Sequence, residues 1–532
     1  MEEHRRSLNV ATLSWLTLLS RLLGLLRDIL FFALLGAGGA ASAFITAFTL
    51  PNLFRRLFGE GALAAAFIPS FVRANKSGEG EREGFRLLNQ TASRLLLGLV
   101  GVTIAGWALL LGISLFPGLP DRYYQMSHYA LVLLPYSGLV CLAALLGATL
   151  QAMHRFLSSG LSQIWLNISL ILALLVLSLW PAFPLGGAMY WLCAAVLLGG
   201  VFQVLFPGIS LARLGWKPSW DWQQSVELRQ LKAMFWPSLA GAAVFQINFA
   251  VSRLLALGVS DEAASLLYLA NRILELPLGI FVIAVATVTF PSLSRLSIEK
   301  DEAGLVRTFR QSALQILAIA LPAAVGMALL REPIVEVLFS WGAFSEKDAT
   351  GLSDLLLICA LSLPFYSLAT LTTRAFYAQT NTRLPLRLAC LNLGLNTILS
   401  LALMQPFGMF GLAWANTLSA LLHCVLLWVS LQLQYRKLGG LITWKNVMKL
   451  GLACVLMALA LIIAQETISV LLPDGKASAT IELLLIPISG AGVFFMLLRL
   501  FRFEAIGMVL VMIFPWRRWK QGKSHEQEKH PQ

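Results

Sequence analysis

Apolar runs of about twenty residues, the length a helix needs to cross the hydrocarbon of a bilayer, recur along almost the whole chain with only short polar breaks. Hydrocarbon offers a backbone amide no water to bond, so a run of that length closes its hydrogen bonds within itself as an α-helix. Hydrophobic residues make up 58% of the chain and charged ones 13%, against about 45–50% and about 25% in soluble domains. The expected fold class is an all-α polytopic membrane protein. About fourteen spans are read, beginning near Leu8, Ser42, Leu88, Ser127, Leu157, Leu185, Ala233, Ser265, Gln311, Gly351, Pro385, Gly408, Asn446 and Ile481. No stretch between them is long enough to fold as a soluble domain. Arg5 and Arg6 precede the first run as they would in a cleaved leader, but Arg21, Arg27 and Asp28 interrupt the unbroken apolar core of about 7–15 residues that a leader requires. A retained first span is expected.

The formal net charge is +13, a balance compatible with nucleic acid, yet the cations are sorted by loop instead of forming one basic stripe. Alternate loops hold them: Arg73, Lys76, Arg82 and Arg86; Arg155; Arg213, Lys217, Arg229 and Lys232; Arg295, Lys300, Arg307 and Arg310; Arg383 and Arg387; Arg436, Lys437, Lys445 and Lys449. The opposite set holds little beyond Arg122, Arg331, Lys347 and Lys476. The positive-inside rule therefore places both termini in the cytoplasm, with Arg517, Arg518 and Lys520 in a basic tail. No nucleic-acid partner is expected.

Enzyme motifs are lacking. The histidines His4, His128, His154, His423, His525 and His530 are scattered without HExxH spacing, and no GxxxxGK[ST] loop is present to hold a nucleotide. The six cysteines lie inside apolar runs without CxxC spacing, which reads as packing instead of a metal site. No cofactor or metal is expected.

The chain repeats itself. Pro69-Ser70-Phe71-Val72-Arg73 closes the second span and Pro291-Ser292-Leu293-Ser294-Arg295 closes the eighth. A weaker echo relates Leu150-Gln151-Ala152 and Asn167 to Phe376-Tyr377-Ala378 and Asn396. An interval of six spans implies two pseudo-symmetric six-helix lobes, the arrangement in which halves rock about a central site. Boundaries follow: 1–228 for the first lobe, 229–440 for the second, 441–515 for two further C-terminal helices and 516–532 for the basic tail.

Charges inside a span cost roughly 2.5–3.5 kcal/mol at mid-depth, so each needs a reason. They cluster: Ser20, Arg21, Arg27 and Asp28 in the first span; Asn52, Arg55, Arg56 and Glu60 in the second; Arg253 in the seventh; Ser265, Asn271, Arg272 and Glu275 in the eighth. Helical spacing puts Ser20 and Arg27 on one face with Arg21 and Asp28 beside it, stacks Asn52 with Arg55 and Arg56 after Pro51, and lets Arg56 reach Glu60 and Arg272 reach Glu275. One reading is internal ion pairing or snorkelling to the interface. The other follows from arginines outnumbering acids: excess buried positive charge asks for a mobile anion, and the guanidinium fork suits phosphate better than the point charge of lysine.

These same stretches, Ser20-Arg21-Leu22-Leu23-Gly24-Leu25-Leu26-Arg27-Asp28, Leu50-Pro51-Asn52-Leu53-Phe54-Arg55-Arg56, Glu60-Gly61-Ala62 and Ala270-Asn271-Arg272 with Glu275, carry a resemblance. The sequence resembles the MurJ (MviN) family of lipid II flippases over essentially its whole length, and Gly342-Ala343-Phe344 is similar to a segment of that family's outer loop. The resemblance implies a MATE-like exporter fold of the MOP superfamily: two lobes around a cationic cavity, two added helices forming a lipid groove. It also implies a non-enzymatic function, translocation of lipid II, an undecaprenyl diphosphate-linked peptidoglycan precursor, from the cytoplasmic to the outer leaflet by alternating access in a bacterial cytoplasmic membrane. The implied substrate-binding set is Arg21, Arg27, Asp28, Asn52, Arg55, Glu60, Ser265, Arg272 and Glu275, with Arg27, Arg55 and Arg272 on the diphosphate. Partners implied are lipid II, membrane lipids and cell-wall synthesis proteins, with a monomer expected. Ser42, Asn271 and Asn381 stand where the family commonly has aspartate, and Trp341 where it often has arginine; the three lost anions leave the cavity more positive. A membrane-embedded lipid enzyme, a flippase for another polyprenyl-linked oligosaccharide, and a scaffold are the competing readings.

Overall fold

The computed structural model describes residues 2–59, 62–76, 81–180, 183–435, 444–473 and 475–503. Glu60 and the basic tail lie outside the described residues. The helices run in order: α1 (Glu2–Leu35), α2 (Gly39–Phe54), a π turn (Arg55–Gly59), α3 (Ala62–Lys76), α4 (Glu81–Ser114), α5 (Asp121–Leu133), α6 (Tyr136–Ala152), α7 (Phe156–Ser162), α8 (Ile164–Ser178) and α9 (Leu185–Ala212). They continue as α10 (Val226–Val259), α11 (Ala263–Pro277), a second π turn (Leu278–Val282), α12 (Ile283–Ile298), α13 (Glu302–Leu329), α14 (Arg331–Leu338), α15 (Glu346–Ala360), α16 (Leu363–Ala378), α17 (Arg383–Gln434), α18 (Trp444–Leu471) and α19 (Lys476–Leu500). The all-α expectation holds, with no strand among the described residues.

Among the described residues, seven helical segments are long and apolar enough to cross a membrane, or nine if the bent pairs α5–α6 and α15–α16 each count as one span. The fourteen expected are therefore not all counted. Outside the count are α1, α10 and the α2–α3 and α11–α12 pairs, the helices that carry the intramembrane arginines. The second half of α17 is also uncounted, because α17 is two helices joined at Gly408, whose φ of 56° and ψ of −134° break the helical path just after Pro406.

The repeat reaches the backbone. Each π turn interrupts a helix shortly after a proline, Pro51 in one case and Pro277 in the other, where the missing N–H already weakens the ladder. Arg55 and Leu278 begin the two turns, the same 223-residue interval that separates Ser42 from Ser265.

Two compact units are present, Met1–Leu266 with Phe339–Asp348, and Leu267–Leu338 with Ala349–Gln532. In the first, Phe67, Phe71, Leu88, Leu145 and Leu211 form a core joining α3, α4, α6 and α9. Lipid is as apolar as leucine, so helices gain little from hydrophobicity alone and approach through small residues and interhelical hydrogen bonds. At Gly199 of α9 a Cβ would come within 3.1 Å of the Leu166 backbone, and the Ser169 hydroxyl crosses to the Ala195 carbonyl at 2.6 Å. In the second unit α13 packs on α12, α16 and α18, and α18 on α19.

Loop contacts in the first unit gather the sparse-cation loops at one end. Arg122 pairs with Asp261 at 2.9 Å and Lys347 with Glu262 at 3.1 Å. Loops of the cation-rich set meet at the other, where Asn89 donates to the Lys217 carbonyl at 3.0 Å and Arg94 to those of Asp221 and Gln223. The stretch Phe339–Asp348 docks on α1: the Ala343 N–H donates to the Ala33 carbonyl at 2.7 Å and Phe344 meets Phe32 edge-on. Gly342 is at φ +58°, and a Cβ there would lie 2.2 Å from the Ala33 carbonyl oxygen. That is the physical reason for glycine in Gly342-Ala343-Phe344.

Two outcomes are expected. Gly342→Ala combines left-handed strain with a backbone clash and should cost about 2 kcal/mol or more, read as a lower melting temperature of the purified protein, whereas Gly38→Ala, with nothing within 4 Å of its added Cβ, should melt like the parent. Burial opposes ionisation of Glu262, but its own backbone N–H, Lys347 and Ser260 outweigh burial and hold the carboxyl below its ordinary 4.5. The contribution of the Lys347 contact is therefore complete above about pH 4.5 and lost as pH falls through the lower folded value. Melting curves between neutral and acid pH should fall less steeply for Glu262→Gln than for the parent, and an identical slope would show the pair to be inert.

Candidate functional site

In the first unit, two arginines are held by side chains from their own helices. Arg27 donates from Nε and Nη2 to one carboxylate oxygen of Asp28, at 3.0 and 2.6 Å. Its Nη1 donates to Asn167 Oδ1 on α8 at 3.2 Å, and Asn167 Nδ2 donates in turn to the Ser20 carbonyl at 3.0 Å. Asp28 is buried, at 3% exposure. An ion pair so placed is a fixed element of the helix pair, and its guanidinium plane is set by three hydrogen bonds to two oxygens.

Arg55 is held differently. Its Nε donates to Asn52 Oδ1 at 2.7 Å, the contact expected from their three-residue spacing. That contact, to a neutral amide, orients the guanidinium. Arg55 opens the π turn, which widens the helix at that residue and ends the regular side-chain rows of α2. Arg56 lies 5.4 Å from the Phe249 ring centroid of α10, a cation–π contact; its expected partner Glu60 lies outside the described residues. Arg253 donates to Thr49 Oγ1 at 3.2 Å. Arg21 is partly buried on α1.

Ser265 is fully buried. Its hydroxyl lies 2.8 Å from that of Ser42, and its N–H donates to the same Ser42 oxygen at 3.2 Å. Equivalent positions of the repeat thus touch each other. Two hydroxyls satisfy each other here without burying a charge.

In the second unit Arg272 and Glu275 pair across one turn of α11 at 3.3 Å, with side-chain exposures of 24% and 42%. Asn271 donates to the Leu267 carbonyl at 2.7 Å. The helical spacing foretold the pair.

Asn167 was legible only as part of a repeat echo, not as a clamp on Arg27, because 140 residues separate them. Tyr136 and Gln203 gave no signal at all. Both are buried in apolar helices, and the tyrosine hydroxyl donates to Gln203 Oε1 at 2.9 Å. Among the described residues no group of three His, Cys, Asp or Glu side chains could hold a metal.

Comparison with known proteins supplies the family. Residues 31–473 match the family model described as lipid II flippase MurJ. The probable lipid II flippase MurJ of Vibrio cholerae is 31% identical over 438 residues, covering 79% of this chain and 82% of its own length. That of Haemophilus influenzae is 32% identical over 446 residues, covering 78% and 84%. A solved lipid II flippase MurJ in an inward closed conformation superposes with a TM-score of 0.73 over 91% of this chain and 97% of its own, at 24% identity. An inward-facing multidrug resistance MATE family transporter of the MOP superfamily gives 0.64 over 79% and 95%, at 16% identity. These two likenesses agree in a MATE-like fold. With most of its length matched by one family model and by relatives above 30% identity, the chain belongs to the MurJ family.

Proposed function

We propose that this protein is a lipid II flippase: it carries an undecaprenyl diphosphate-linked peptidoglycan precursor from the cytoplasmic to the outer leaflet of a bacterial cytoplasmic membrane, without catalysing a chemical step. The observation that carries the reading is Arg55, oriented in an apolar helix by the neutral Asn52, in a chain of this family. The orienting amide fixes where the guanidinium is aimed, and its planar fork matches phosphate oxygens. Arg27, with Asp28 and Asn167 fixing its plane, and Arg272, steadied by Glu275, each engage the diphosphate in the course of the cycle. Arg21, Asn52 and Glu60 complete the substrate-facing set, and Ser265, fully buried against Ser42, orders the helices behind it instead of meeting substrate.

Transport proceeds by alternating access between lobes 1–228 and 229–440, and α18 with α19 receives the isoprenoid tail. The exposed apolar residues of that pair, Val455, Ile463, Leu484 and Ile488 among them, suit a lipid chain. The protein acts as a monomer beside the cell-wall synthesis proteins that supply and use its substrate. Both termini are cytoplasmic.

Cysteine labelling from outside intact cells should therefore reach single cysteines at positions 122, 347 and 476 and fail at 76, 217 and 300; a reproducible inversion at any of them would break the assigned sidedness. The arginines should separate by their partners when melting temperature and membrane abundance are measured beside lipid II flipping. Arg55→Ala should lose at least about tenfold in flipping with a smaller change in melting than Arg27→Ala, whose loss strands a buried carboxylate. Lysine should not rescue it, having the charge but not the fork. Arg27→Ala should lose flipping and also about 3 kcal/mol of stability, because the buried Asp28 carboxylate loses its guanidinium. Adding Asp28→Asn should restore the melting temperature but not the flipping. Arg272→Ala should melt almost normally, its pair being half open to solvent. Normal flipping in all three alanine variants, or a loss of flipping that always tracks loss of protein, would overturn the diphosphate reading.

A further inference from the structure

A cavity of about 60 Å³ opens beside Arg55 inside the first unit. Its polar lining is Arg55, Gln151, Ser159, Ser162, Gln163 and Gln203, with no carboxylate and no lysine. The π turn after α2 contributes, with α3, α6, α7 and α9 and the α7–α8 junction at Gln163. The floor is made of small residues, Ala143, Ala144 and Gly147, which is what leaves the space.

Three of these side chains are already committed in a way that fixes what the cavity offers. Gln151 donates from Nε2 to Ser159 Oγ at 2.9 Å, which leaves its Oε1 as an acceptor. Gln203 receives the Tyr136 hydroxyl on Oε1 at 2.9 Å, which leaves its Nε2 as a donor. Ser162 donates to the Gln203 carbonyl at 2.9 Å, tying α7 to α9 at the rim. Gln203 is 4% exposed. Selection at this cavity therefore turns on what the Gln203 amide nitrogen can donate to.

Gln151 and Gln203 thus offer the cavity an amide acceptor and an amide donor over a small apolar floor, with the Gln163 amide and the Ser159 hydroxyl beside them, all neutral and next to a guanidinium. That set is the reciprocal of an N-acyl group: an N–H for the Gln151 oxygen, a C=O for the Gln203 nitrogen, and a methyl for the alanine floor. The volume suits a group of a few heavy atoms, not a sugar ring. We infer that this cavity is a specificity site for the N-acyl substituent of an amino sugar bonded directly to the diphosphate. The inference rests on the proposed function, since it takes Arg55 as a contact of the diphosphate and reads the cavity as the place where the next unit of the substrate is recognised. Selection by an amide pair discriminates well because a ligand lacking the group leaves both site amides buried and unmatched.

The test uses the purified full-length protein and three polyprenyl diphosphates: one without sugar, one bearing a single N-acetylated amino sugar, and one bearing a hexose with a hydroxyl in place of the acetamido group. Dissociation constants are measured for the parent and for Ala144→Leu, which fills the cavity, Gln203→Met, which removes the donor at similar size, and Arg55→Ala, with melting curves for each. The parent should bind the N-acetylated ligand about tenfold more tightly than the hexose ligand, the value of one good amide pair. Ala144→Leu and Gln203→Met should bring that ratio close to one while affinity for the unsugared diphosphate stays within about twofold. Arg55→Ala should weaken all three ligands together. Absence of a preference in the parent, or an intact preference in either cavity variant that melts like the parent, overturns the inference. Unchanged binding of the unsugared diphosphate by Arg55→Ala overturns the diphosphate reading instead, and the sugar preference of the parent is still read independently of it.

Discussion

Lack of water in the hydrocarbon governs everything else in this protein. It forces every backbone amide to bond within its own helix, and it makes each intramembrane side-chain charge a problem that some neighbour must solve. Arg27 and Arg55 show two solutions to one problem. A carboxylate holds Arg27 and makes it part of the frame. An amide one turn away orients Arg55. In both cases a neighbouring oxygen fixes the direction of the guanidinium.

The same constraint explains where regularity is abandoned. Both π turns fall at equivalent places in the repeat, each following a proline, so the two halves depart from α-geometry together. One turn begins at Arg55 itself. A widened turn is less stable than an α turn, and its recurrence 223 residues later marks it as a property of the repeated plan instead of a local accident. Ser42 and Ser265, related by that same interval, meet hydroxyl to hydroxyl. A repeat brings like residues face to face, and a serine pair tolerates that encounter where two like charges would not.

Much of the fold was legible because the bilayer leaves few alternatives. Long apolar runs become helices, loop charges sort them into alternating sets, and Pro69 and Pro291 mark copies of one unit. The Asn52–Arg55 and Arg272–Glu275 contacts followed from three-residue spacing on a helix. The span count was less secure where helices carry arginines or where α17 turns at Gly408, since hydropathy averages over breaks that backbone geometry makes sharp. Asn167 and Gln151 showed only as members of a repeat echo and Gln203 not at all, because a single neutral amide in an apolar run looks the same whether it packs, clamps an arginine or lines a cavity.

Sequence by itself determined the class of fold, its repeat, its family membership and the positions of the intramembrane charges, for these depend on local spacing and on a solvent that permits one backbone solution. Tertiary structure alone decided which charge received which partner. It brought Asn167 to Arg27 across 140 residues and laid Phe339–Asp348 on α1, with Gly342 against a carbonyl that admits no side chain. It also aligned three helices so that two glutamines, each half committed, turn their remaining polar atoms into one cavity beside Arg55. Those outcomes depend on distance and direction between residues far apart in the chain, quantities that no local pattern encodes.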